Sequence, residues 1–145
     1  MNSLVREEYL SQEVFTAPPQ KLQLMLLEAA IRFGERAKKH WELGQNDPAF
    51  DALIRGQNIM AELLRGLMPS RETELAQRLA GVYVFIYRSF IEAAQSRDAG
   101  KLGDALRVLE VERETWRQVC EKLGAAITKA PHFDMTRVSS FSAEG

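Results

Sequence analysis

The sequence predicts an all-α protein, an antiparallel four-helix bundle with a short N-terminal arm or helix and a flexible C-terminal tail. Three observations support this fold. Apolar residues recur at helical spacing in four long segments, turn-forming residues separate these segments, and 145 residues suffice for one hydrophobic core. Helices of about 20 to 30 residues with short loops are typical of antiparallel bundles. We therefore predict an arm at 1–17, a bundle at 18–129 and a tail at 130–145.

The first helix is predicted at about residues 19–43, where Gly44 and a polar loop end it. The second helix is predicted to run from Pro48 to about residue 67. Asp47 is its expected N-cap, because an Asp side chain accepts hydrogen bonds from the free N–H groups of a first turn. Both helices have an apolar stripe for the core, made of Leu22, Met25, Leu26, Ala29, Ala30, Phe33 and Ala37 in the first and Ala49, Leu53, Gly56, Met60, Leu64 and Leu67 in the second.

The third helix is predicted at about residues 71–95, with Ser70 as its N-cap. Its centre contains the stretch GVYVFIY at 81–87, whose composition is that of a strand. Good helix formers precede and follow the stretch without a turn signal, so a helix is favoured. The apolar arc of this helix is then wider than an ordinary stripe of about 100°. It combines a core stripe of Leu75, Leu79, Val82, Tyr83, Ile86, Phe90 and Ala93 with a second stripe of Ala80, Val84, Tyr87 and Ile91.

The fourth helix is predicted to begin near Asp98 or Gly100 and to end at about residue 128. Arg113 falls on its apolar stripe, and a buried guanidinium needs a carboxylate or carbonyl partner. Arg113 is therefore either part of a structural ion pair or at the rim of a groove. The residues expected to face inward are Leu102, Leu106, Leu109, Trp116, Cys120, Leu123 and Ile127.

The charge balance and the apolar runs exclude several classes of partner. Nineteen Lys and Arg against 20 Asp and Glu give a net charge of -1, which argues against nucleic acid. No apolar run reaches the roughly 18 residues of a membrane span, and the start lacks a secretion signal, so direct membrane insertion is not expected. The single cysteine, Cys120, fits a reducing compartment. We predict a cytoplasmic protein with protein or small-molecule partners.

The sequence predicts no catalytic, cofactor or metal site. His40 and His132 do not pair with Cys or carboxylates at ligand spacing, and Cys120 lies on a core stripe. The sequence contains neither a Gly-rich phosphate loop nor a Gly-x-Ser-x-Gly motif. The chain is therefore predicted not to be an enzyme.

Four motifs follow one another at bundle spacing: YLSQEVFTAPPQKLQLMLLEAAIRF at 9–33, LIRGQNIMAELL at 53–64, VYVFIYRSFIEA at 82–93 and LEVERETW at 109–116. Through them the chain resembles the FliS family of flagellin-export chaperones over about residues 9–123. The resemblance implies a cytoplasmic chaperone that binds the C-terminal segment of flagellin, which is unfolded before assembly. It would prevent premature polymerisation and deliver the subunit to the membrane export gate of the flagellar type III secretion apparatus.

The resemblance also implies partner-binding residues. The arm of the family takes part in covering the client-binding surface and in docking on the export gate, and Tyr9, Leu10, Val14 and Thr16 would inherit these roles. An amphipathic client segment can pack in a groove lined by apolar residues that the core does not need. The candidates for such a groove are Ile54 and Ile59 on the second helix, Val84, Phe85, Tyr87 and Ile91 on the third, and Val108 and Val119 on the fourth.

A role in ordinary packing between neighbouring helices is the alternative for each groove candidate, and for Tyr9 it is a role in fastening the arm to the bundle. The alternative function is that of a helical scaffold or oligomerisation protein, for instance a homodimer. Such a protein would use its spare apolar face as a self-interface.

Overall fold

The computed structural model describes the backbone of residues 19–129 and the side chains of residues 19–124. This part of the chain contains four α-helices and no strand, so the predicted all-α fold is confirmed. The arm and the tail, with Tyr9, Leu10, Val14 and Thr16, lie outside the described residues. The elements are α1 (Pro19–Glu42), α2 (Asn46–Gly66), a 3₁₀ turn (Met68–Ser70), α3 (Glu74–Ser96) and α4 (Ala99–Lys129).

The chain divides into two compact units. The bundle unit, Leu26–Glu114, contains α2, α3 and the adjoining parts of α1 and α4. The terminal unit comprises the rest, of which residues 19–25 and 115–129 are described. In the terminal unit Trp116 is half-buried, and its indole Nε1 is buried without a hydrogen-bond partner among the described residues. Leu123 is 38% exposed, against the prediction that it faces inward. Helical spacing shows which residues share a face, but not where along the helix that face is covered.

The core of the bundle unit is built around the ring of Phe90 in α3, which is fully buried. Two glycines face this ring. A Cβ built on Gly56 of α2 would lie 3.3 Å from Cε2 of Phe90, and one built on Gly34 of α1 would lie 3.4 Å from Cε1. The side chain of Leu106 in α4 lies within 2.6 Å of the same Cβ position on Gly34. All four helices therefore meet here, together with the fully buried side chains of Leu27, Leu53, Met60, Tyr83, Ile86, Leu102 and Leu109.

The stretch GVYVFIY lies entirely within α3, so the prediction of a helix is confirmed. Tyr83 and Ile86 are fully buried, whereas Val84 and Tyr87 of the second stripe are half-buried. The prediction for Leu75 is wrong, because this side chain is 65% exposed. Leu75 lies in the first turn of α3, close to the loop that follows α2. No described neighbour covers its side chain there.

Arg113 of α4 forms a surface ion pair. Its Nε donates to Glu110 Oε2 at 3.0 Å, one turn earlier in the helix. The two side chains are 36% and 49% exposed, so Arg113 is not a buried charge. Of the two alternatives for Arg113, the structure shows the ion pair.

The caps of two helices differ from the prediction. The N-cap of α2 is Gln45, which makes no side-chain cap bond, while Asp47 lies in the first turn, where a carboxylate is favourable to the helix dipole. The N-cap of α3 is Thr73 and not Ser70. Thr73 Oγ1 accepts from the backbone N of Ala76 at 3.1 Å and donates to the carbonyl of Ser70 at 2.8 Å. Ser70 instead ends the 3₁₀ turn, an extra element that delays the start of α3.

We expect Thr73→Ala to lower the free energy of unfolding by about 1 kcal/mol, because the N–H of Ala76 loses its capping oxygen. Urea unfolding followed by far-UV circular dichroism measures this change. Ser70→Ala is the control, with an expected change within about 0.5 kcal/mol, since Ser70 is exposed and does not cap the helix. Equal losses in the two variants would refute the role of Thr73.

Candidate partner-binding surface

The predicted groove residues of α3 lie on two sides of its buried stripe. Val84, Tyr87 and Ile91 follow one flank, because a helix turns by about 100° per residue. This flank faces α2, which packs against α3. The amide Nε2 of Gln57 in α2 donates to the hydroxyl of Tyr87 at 3.3 Å, and this contact shows the register of the two helices.

The register brings several predicted residues together. Counting in opposite directions from Gln57 and Tyr87 along these antiparallel helices places Ile54 within one residue of the level of Ile91, and Ala61 within one residue of the level of Val84. All six side chains are half-buried, so they leave an apolar strip exposed between the two helices. We call this strip the α2–α3 seam; it consists of Ile54, Gln57, Ala61, Val84, Tyr87 and Ile91.

Ile59 does not belong to the seam. It lies about 140° around α2 from Ile54, since five residues separate them. This is the flank of Arg55, whose guanidinium carbon is 6.0 Å from the ring centre of Phe33 in α1. Ile59 is half-buried on the side of α1, so the structure separates two isoleucines that the prediction had grouped.

A pocket of about 360 Å³ lies between α3 and α4. Val108 lies one turn beyond the pocket residue Asp104 in α4 and is half-buried. It is level with Phe85, because each is seven residues from the ion pair that joins Glu92 to Lys101 across the two helices. We call this pocket the α3–α4 groove; its lining residues are Gly81, Val84, Phe85, Arg88, Ser89, Glu92, Lys101 and Asp104.

The groove is apolar at one end and charged at the other. The apolar end is formed by Val84 and by Phe85, whose side chain is 45% exposed. At the charged end, Lys101 Nζ donates to Glu92 Oε2 at 2.5 Å. This hydrogen bond, together with the attraction of the Glu92 charge, raises the pKa of Lys101 above its ordinary value and keeps the ammonium charged.

Arg88 lies between the two ends of the groove. The two carboxylates of the groove form ion pairs with other residues: Glu92 with Lys101 and Asp104 with Arg107. Arg88 is exposed and forms no ion pair with the described residues. The groove therefore has, next to its apolar end, one guanidinium that forms no ion pair with the described residues.

Sequence reasoning missed the polar and small residues of the groove. Gly81, Arg88 and Glu92 fall on the polar side of α3, where charged residues are usually only solvated. The glycine was the available signal, because glycine inside a helix is unfavourable without a packing or functional reason. Val119, the remaining prediction on α4, is half-buried in the terminal unit.

The described residues contain no group of three or more His, Cys, Asp or Glu side chains that could hold a metal ion. His40 Nδ1 is 2.7 Å from the side-chain oxygen of Gln45. Within residues 19–129, none of the helices combines the length and the apolar character that a bilayer span requires.

Comparison with known proteins assigns the chain to a family. The family model of the flagellar protein FliS matches residues 1–123, which is most of the chain. The chain belongs to the FliS family. It is 29% identical over 113 residues to the flagellar secretion chaperone FliS of Bacillus subtilis (strain 168), and this alignment covers 78% of the chain and 84% of that relative.

Membership in the FliS family confirms two of the predictions. The resemblance that the four motifs indicated is correct, and the chain belongs to a family of chaperones and not of enzymes. The matched residues include the α2–α3 seam, the α3–α4 groove and the N-terminal residues outside the described part.

Proposed function

We propose that the chain is a cytoplasmic export chaperone for flagellin. It binds the disordered C-terminal segment of flagellin, prevents premature polymerisation and delivers the subunit to the export gate of the flagellar type III secretion apparatus. Two findings support this function: membership in the FliS family, and the similarity to a relative described as a flagellar secretion chaperone.

One structural observation supports binding of such a client. The core of the bundle unit is complete around Phe90, yet apolar side chains remain partly exposed on both sides of α3. Val84 is common to the two surfaces, with Ile54, Tyr87 and Ile91 on the seam and Phe85 and Val108 at the groove. An amphipathic segment can cover surfaces of this kind by helix-in-groove packing.

A disordered client suits two adjacent surfaces. Such a segment orders as it binds, so it can follow a large area of a folded partner and bind with modest affinity. In this proposal the seam and the groove each hold part of the client. Tyr9, Leu10, Val14 and Thr16 keep their proposed role in covering the client surface and docking on the gate, and Ile59 and Val119 stay weaker candidates for contact.

We expect Val84→Asp to weaken binding of a peptide comprising the C-terminal segment of flagellin by at least about tenfold, because a carboxylate in an apolar contact must be desolvated. Ile91→Asp should act similarly at the seam. Isothermal titration calorimetry measures the affinity, and circular dichroism checks that each variant stays folded. If the unsubstituted chain does not bind the peptide, the proposed function is refuted.

Leu75→Asp is the matched control for this experiment. It makes a similar exchange in the same helix, at a side chain that is 65% exposed and lines neither surface. We expect the peptide affinity of this variant to equal that of the unsubstituted chain. An equal loss at Leu75 would show that charge, and not the two surfaces, decides binding.

The competing function is a scaffold that uses its apolar surface for self-association. It is favoured by further exposed apolar side chains outside the two surfaces, such as Leu43 at 64% and Met68 at 54%. Light scattering over a dilution series distinguishes the two functions. A stable symmetric dimer without peptide binding would favour the scaffold.

A further inference from the structure

Gly81 lies in the interior of α3 on its exposed side and lines the α3–α4 groove. A Cβ built on Gly81 would meet no described heavy atom within 4 Å. The bundle unit therefore has room for a side chain at this position. Gly34 and Gly56 differ, because a Cβ on either would meet the ring of Phe90.

The glycine at 81 weakens the helix without improving the packing of the bundle. Glycine in a helix interior costs stability relative to alanine, since it loses more conformational freedom on folding. At Gly34 and Gly56 close packing on Phe90 offsets this cost, but no described neighbour does so at Gly81. A missing side chain allows another backbone to approach closely, which is a common use of glycine at contact sites. The open position at Gly81 therefore points to a partner helix.

The charges of the groove specify what that partner carries. Arg88 is seven residues beyond Gly81, so it lies on the same face of α3, about 10 Å along the helix axis. It is the groove charge without an ion pair among the described residues, whereas Glu92, Lys101 and Asp104 are paired. A carboxylate on the partner complements Arg88, and a guanidinium can bind it through two hydrogen bonds.

We propose that the α3–α4 groove binds one amphipathic helix of the client, which crosses α3 at Gly81 and places an Asp or Glu side chain against Arg88. The proposal rests on the proposed function, because the client supplies this helix. It also specifies where two side chains of the client helix lie along α3. An apolar residue lies over Val84 and Phe85, and the acidic residue lies about one turn further on, towards Glu92 and Lys101.

Gly81→Ala tests the crossing point through two opposite changes. The melting temperature should rise, because alanine favours the helix and its methyl group meets no described neighbour. The affinity for the flagellin C-terminal peptide, measured by calorimetry, should fall by about tenfold or more, because the methyl group overfills a close contact. A loss of both stability and affinity would overturn the proposal, since the methyl group would then clash within the bundle.

Gly103→Ala is the matched control. Gly103 lies inside α4 and does not line the groove, and a Cβ there would be 3.6 Å from a guanidinium nitrogen of Arg107, an ordinary contact. The melting temperature of this variant should rise without a change in peptide affinity. An equal loss of affinity in both variants would overturn the role of Gly81.

Arg88→Glu tests the charge. We expect the peptide affinity to fall by about tenfold and to depend less on salt, because an attraction becomes a repulsion. Replacing the acidic residues of the peptide one at a time by Lys should restore affinity for this variant at one position. Lys38→Glu, at an exposed position of α1, changes the net charge equally and should leave the affinity unchanged. Failure of every peptide variant to restore binding would overturn the pairing.

The outcomes separate this inference from the proposed function. Absence of peptide binding by the unsubstituted chain overturns both. Peptide binding that Gly81→Ala and Arg88→Glu leave unchanged overturns the inference alone. A dimer of the unsubstituted chain that Gly81→Ala dissociates also overturns it, because the groove would then hold a second copy of the chain and not the client.

Discussion

Phe90→Ala is expected to lower the free energy of unfolding by about 3–5 kcal/mol, the usual cost of removing a buried aromatic ring. The ring is fully buried where α1, α2, α3 and α4 meet, against Gly34 and Gly56. The two glycines have no side chains that could move into the space, so they cannot help to fill the cavity. Urea unfolding followed by far-UV circular dichroism measures the loss.

Phe85→Ala is the control for this variant. It makes the same exchange in the same helix, at a ring that is 45% exposed. We expect it to cost less than about 1 kcal/mol of stability. It should nevertheless weaken peptide binding, because Phe85 lines the groove. Equal losses of stability in the two variants would show that Phe90 is not the centre of the core.

Gly56→Val is expected to lower the free energy of unfolding by about 2–3 kcal/mol through overpacking. A Cβ at this position would already lie 3.3 Å, 3.4 Å and 3.6 Å from three atoms of the Phe90 ring. The ring cannot easily retreat, because the backbone of Gly34 confines it on another side. The two extra methyl groups of valine therefore require α2 to shift away from α3. Urea unfolding measures this loss as well.

Two comparisons isolate the cause of this loss. Gly81→Val makes the same exchange in a helix interior where a Cβ meets no described atom, and we expect a change within about 0.5 kcal/mol. In a Phe90→Leu background, Gly56→Val should cost at least about 1 kcal/mol less than in the unsubstituted chain, because the two positions are in contact. An undiminished cost in that background would mean that the ring does not limit the space at Gly56.

Much of the fold could be predicted because helical spacing is a local property. The boundaries of all four helices lie close to the predicted ones, and GVYVFIY is helical despite its strand-like composition. The exceptions, Ser70 and Leu75, lie where a neighbouring element changes the start of a helix or fails to cover it. Ser70 was predicted as a cap, but the 3₁₀ turn moves the start of α3 and gives this role to Thr73. Leu75 is on the predicted stripe but lies in an uncovered first turn.

The candidate surface could be predicted only in part. The second stripe of α3 is visible in the sequence through Val84, Tyr87 and Ile91, whose side chains are all half-buried. The sequence does not show which helix this stripe faces; the contact between Gln57 and Tyr87 in the structure identifies it as α2. Ile54 and Ile59 look equivalent in sequence, yet they lie on opposite flanks of α2.

The sequence by itself determined the helices, the wide apolar arc of α3 and the membership in the FliS family, because periodicity and motif order are properties of the linear chain. Only the tertiary structure decided how that arc is divided between core, seam and groove. It also distinguished Gly34 and Gly56, which pack on Phe90, from Gly81, which is open, and showed that Arg88 is unpaired among the described residues. These properties depend on which helices meet and at what register, and contacts between residues far apart in the chain set both.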